Sequence, residues 1–236
     1  QYVTIWPQLF SILQTIPEKT GDKTFEIVGD TLMAALEKLT NVDSNYYNNI
    51  LYFIVSCAEK LGLTQFFELT RLPVNDYGYL ENMVIPILNV YHGKNLDDLS
   101  FVFNYLLPME EEMHEELKQD PSRILWQNLW NVLPNCCTTN MEDISNFVNL
   151  VIDRFEEHKM ELYRPICKII QIIAPHTDQL DRLLISLANA SVDTSTSSCV
   201  IPAIAKVASL MPQDSINSFF SSLITNKILV LANDPN

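Results

Sequence analysis

Five carboxylates crowd one short stretch of this chain, at Glu110, Glu111, Glu112, Glu115 and Glu116. They are its densest group of side chains able to do chemistry. Carboxylates hold a hard cation, or work as an acid-base pair, when separate segments bring them to one point. Consecutive positions instead spread around a single helix, so the pattern predicts a solvated face, with a docking patch for a basic partner protein as the functional alternative. The histidines at 92, 114, 158 and 176 stand apart. No His-Glu-x-x-His spacing places two imidazoles one helical turn apart for zinc. Cys136-Cys137 has the atoms of a nucleophile, but adjacent side chains point in different directions and no nearby histidine or cation favours the thiolate. No glycine-rich loop is present to cradle a phosphate. Trp126 and Trp130 lie four apart, on one helix face, where core packing is the usual role and stacking on a nucleobase the rarer one. The sequence therefore predicts no catalytic residue, metal ligand or cofactor site, and no small-molecule substrate.

The elements that carry these residues are helices. Apolar residues recur in steps of three and four, most clearly at Ile144, Phe147, Val148, Val151, Ile152 and Phe155, which leaves one face to be buried and one to be wet. The pattern returns at Ile166, Ile169, Ile170 and Ile173, at Leu180, Leu183, Leu184 and Leu187, and at Ile216, Phe219, Phe220, Leu223 and Ile224. Helices are predicted near 3–15, 23–39, 45–61, 64–69, 80–92, 96–118, 121–133, 141–158, 161–174, 178–190, 198–211 and 214–231. Asp120-Pro121 opens one of them, with proline where its missing N–H is not needed, and Asn140 with Asp143 reads as the cap of another. Pro17, Pro134, Pro175 and Pro212 follow apolar runs and mark helix ends, as do Gly62 and Gly93. Pro86, Pro108, Pro165 and Pro202 fall inside or near the start of apolar stretches, where they should kink helices or shift their boundaries. Thr70 to Tyr79 and Ser191 to Ser198 read as exposed loops.

Twelve helices in antiparallel pairs give roughly six repeats of about forty residues, the period of HEAT and armadillo arrays. The expected fold is all-α, a HEAT/armadillo-like α-solenoid forming one continuous helical-repeat segment over residues 1–236. The chain starts at Gln1 and runs out of an apolar stretch, Ile228 to Ala232, so it reads as a fragment of a longer chain.

Composition narrows the function. Of 236 residues, 47% are hydrophobic, enough for a continuous core, and only 5 are glycine, too few for the turns of an all-β protein. The net charge of −14 disfavours a nucleic-acid groove, which needs clustered Lys and Arg, and suits basic protein partners or simple solubility. The 5 cysteines, at 57, 136, 137, 167 and 199, sit in apolar stretches without extracellular spacing, as reduced thiols would. No apolar run approaches the ~20 residues of a membrane span, so no membrane partner is expected.

The stretch Leu125-Trp126-Gln127-Asn128-Leu129-Trp130-Asn131-Val132-Leu133-Pro134-Asn135-Cys136, followed by Asp143 and Phe147, resembles a recurring segment of the ribosomal-RNA-processing protein twelve family. The resemblance extends upstream through Leu61-Gly62-Leu63, Leu72-Pro73-Val74, Val84-Ile85-Pro86-Ile87 and Phe101 to Pro108, and reaches Trp6. It departs from the family at Met83, where many relatives carry tryptophan, and at Asn140-Met141, which lacks a proline. The resemblance implies a large HEAT-repeat factor acting in small-subunit precursor maturation, rRNA processing and nuclear export of pre-ribosomes. Its implied location is the nucleus and nucleolus, with shuttling to the cytoplasm. Implied partners are proteins of the pre-ribosomal particle, basic ribosomal proteins among them. Precursor ribosomal RNA is a partner for the full-length protein rather than for this acidic segment. Trp126, Trp130, Leu133, Pro134 and Cys136 then have structural roles. A karyopherin-like transport receptor, or another protein-binding HEAT scaffold, is the alternative, and a helical enzyme a third.

Overall fold

The computed structural model describes residues 44–92, 98–116, 120–137, 144–157, 159–190 and 197–221, and these are helical apart from short connections. No strand occurs among the described residues. The chain divides into two compact units, Gln1–Glu142 and Asp143–Asn236.

In the first unit α1 (Ser44–Leu61) and α2 (Leu63–Thr70) meet at Gly62, where the chain turns by 119°. Gly62 has φ 83° and ψ 152°, a conformation essentially reserved for glycine. The loop predicted from Thr70 is shorter and less exposed than expected. Thr70 is fully buried and its hydroxyl donates to the Phe66 and Phe67 carbonyls, while Leu72 and Val74 anchor the following turn in the core. The chain re-enters a helix at Tyr77, with Asp76 accepting a bond from the Tyr79 amide as its cap.

The third helix, α3 (77–90), runs from Tyr77–Tyr79 through a wide π turn, Leu80–Val84, into Ile85–Val90. The fourth, α4 (98–116), repeats the device: Asp98–Phe101, a π turn at Val102–Leu106, then Leu107–Glu116. Each π turn ends two residues before a proline, Pro86 or Pro108. In an α-helix the proline ring collides with the carbonyl four residues back and leaves it without its amide partner. Widening the preceding turn, with the Ile85 N–H bonded to the Leu80 carbonyl and the Leu107 N–H to the Val102 carbonyl, moves the obstructed carbonyl aside. These two prolines alter the helix locally, as their position predicts. Pro165 and Pro202 do not mark boundaries, because α7 and α9 below run through them.

The fifth helix, α5 (Asp120–Cys136), opens at the predicted Asp120. It continues past Pro134, which was expected to end it. The residues after a proline keep their own N–H groups, so Asn135 and Cys136 can complete the last turn. Asn135 then donates its side-chain amide to the Leu88 and Asn89 carbonyls, at 3.0 and 3.3 Å, satisfying the C-terminal end of α3.

In the second unit α6 (Ser145–Glu156), α7 (Met160–Ile173), α8 (Leu180–Ala190) and α9 (Ser197–Ala208) are joined by short connections, with a further helix at 213–221. Ile144 precedes α6 and makes no side-chain cap bond. Asn140 and Asp143 lie outside the described residues, as do the helices expected at 3–15 and 23–39, Gly93, and most of the 191–198 loop. Ser197 and Ser198 belong to the first turn of α9. Pro175 lies in a 3-10 turn, Ala174–His176, directly after α7, and Pro212 follows α9, so both stand where helices have ended.

The packing order is the same within each unit: a helix touches its successor or the next but one. In the first unit α1 packs on α2 and α3, α2 on α4, and α3 and α4 on α5. In the second, α6 packs on α7 and α8, and α9 on α7 and α8. Rings tie these contacts together. Phe67 of α2 stacks on Phe101 of α4 with centroids 4.6 Å apart, and Phe155 of α6 meets Tyr163 of α7 at 4.8 Å.

Candidate functional site

Trp126 and Trp130 project from one face of α5 and are fully buried. An indole that leaves water must give its N–H to an acceptor or lose a hydrogen bond. Both find the same atom. Trp126 Nε1 donates to Glu110 Oε1 at 2.9 Å, and Trp130 Nε1 donates to it at 3.2 Å. Glu110 is itself fully buried on α4, with Met109 and Met113 beside it in the core. One turn on from Glu110, the His114 ring leans over Trp126 with centroids 5.8 Å apart.

This corrects the expected acidic face. Glu110 belongs to the core, where two indole N–H groups hold its carboxyl oxygen, and it is unavailable to a partner. Glu111, Glu112, Glu115 and Glu116 are exposed. They form an acidic surface that Tyr77, at the start of α3, joins by donating its hydroxyl to Glu116 Oε2 at 3.2 Å. Partial burial, and then the charges and hydrogen bonds of Glu112 and Glu116, push the Tyr77 phenol up to about 12. Proton loss there would place a third negative charge beside two carboxylates.

The residues of the Leu-Pro segment pack rather than project. Leu133 and Cys136 are fully buried, Pro134 is half-buried, and the Cys136 thiol donates to the Val132 carbonyl at 3.7 Å. Burial raises the Cys137 thiol to about 12, and Cys57 likewise, so at neutral pH neither forms the thiolate a nucleophile requires. Among the described residues no group of three His, Cys, Asp or Glu side chains is placed to hold a metal ion. His92 is exposed, His114 and His176 are half-buried, and His158 lies outside the described residues.

In the second unit the polar links between helices serve packing. The Ser186 hydroxyl on α8 donates to Glu156 Oε1 of α6 at 2.6 Å, and Arg182 Nη1 donates to Asn149 Oδ1 at 2.5 Å. Glu157 bridges Arg154 and Lys159 at 3.2 and 2.7 Å. The Ser186–Glu156 and Arg182–Asn149 pairs join different helices and have no local spacing to announce them, whereas Arg154 and Glu157 stand three residues apart at the end of α6.

Among the described residues no single helix is long and apolar enough to cross a membrane. Compared with protein-family models, with curated proteins and with solved structures, the chain matches none.

Proposed function

We propose that this chain is a non-catalytic segment of a HEAT-repeat α-solenoid and that it holds protein partners during maturation and nuclear export of small-subunit ribosomal precursors. The observation that carries the solenoid reading is the packing order. Contact between each helix and the next but one is how two layers of helices stack in a repeat array, where every repeat touches only its neighbours. The family-like residues support the same reading. Trp126, Trp130, Leu133 and Cys136 are spent on fixing α5 against α3 and α4, as scaffold residues are, and the exposed residues are left to meet partners. The ribosomal assignment rests on the resemblance of residues 125–136 and the blocks upstream.

Affinity purification of the full-length protein tests the assignment. Co-purification of small-subunit precursor RNA with assembly factors is the expected result. Recovery of cargo proteins with a Ran-type GTPase would move the chain to the transport receptors instead. The isolated segment, at −14, should bind RNA weakly at physiological salt, and a steeply salt-dependent nanomolar affinity would contradict the division of labour proposed here.

A further inference from the structure

We draw no further inference here: the strongest candidate, the partly exposed apolar stripe of α9 at Ile201, Ile204, Ala205 and Ala208, opposite its buried face of Val200, Ala203 and Val207, is an unpartnered helix face, and nothing among the described residues shows what covers it.

Discussion

Replacing Glu110 by alanine removes one side chain and strands two donors. The indole N–H groups of Trp126 and Trp130, 2.9 and 3.2 Å from the same carboxyl oxygen, would remain in a core from which water is excluded. A buried donor left unpaired costs about 1–3 kcal/mol, so the two together cost ~2–6 kcal/mol. The lower half of that range is expected, since the cavity vacated by the carboxyl group gives one water room to enter. This remains a large share of the ~5–15 kcal/mol that holds a typical domain together. Glu110→Gln keeps an acceptor oxygen and should lose less. Glu111→Ala, one residue away and exposed, should change stability by no more than about 0.5 kcal/mol. Urea unfolding followed by tryptophan fluorescence and by circular dichroism measures all three. In a Trp126→Phe, Trp130→Phe background no donors are left to strand, so the Glu110→Ala loss should shrink markedly. If Glu110→Ala unfolds at the same urea concentration as Glu111→Ala, the carboxyl group is not holding the two indoles and the reasoning fails.

Gly62→Ala should destabilise the first unit by ~1–3 kcal/mol, because φ 83° with ψ 152° admits no side chain without strain; an unchanged midpoint in urea would refute it. Asn135→Ala should cost about 0.5–1.5 kcal/mol by removing the donor that the Leu88 and Asn89 carbonyls share, and hydrogen exchange should quicken at the C-terminal end of α3 first. Tyr77 should ionise near 12, seen as the difference in tyrosinate absorbance between the parent and Tyr77→Phe. Because its folded value is raised, any stability it contributes is whole below the ordinary phenol value of 10.0 and fades as pH climbs through about 12. Glu112→Gln and Glu116→Gln should each bring that midpoint down. Cys57 and Cys137, moved from 9.0 to about 12, should react with a thiol reagent on the order of a thousandfold more slowly than in urea, a rate ratio that stopped-flow absorbance checks.

The helices were legible because burial on one side imposes a period of three and four, and that period survives any choice of apolar residue. Within the described residues the expected segments and the observed helices differ mainly at their ends, where caps and prolines compete. The end at Pro134 was misjudged because proline obstructs the turn before it and not the one after. Glu110 was misread by type. Its phase held the correct answer, since it stands four residues after Leu106 and three before Met113, both buried, and so lies on the apolar stripe of α4. A polar residue in that phase, near two tryptophans whose N–H groups must be satisfied, marks a buried acceptor. The π turns were visible only as prolines.

Those turns constrain how α3 and α4 can change over evolutionary time. Each wide turn amounts to one residue more than an α-helix needs, and it gives the following proline ring room that an unwidened turn withholds. Deleting a residue from Leu80–Val84 while keeping Pro86 drives the ring into the carbonyl behind it and rotates every later side chain by about 100° about the axis. Exchanging Pro86 alone restores a donor to a helix already wound for its absence. Either change is a step down; both together, with the later residues rephased, reach another intact helix. Each wide turn and its proline are therefore epistatic, and the described residues hold two such pairs, before Pro86 and before Pro108.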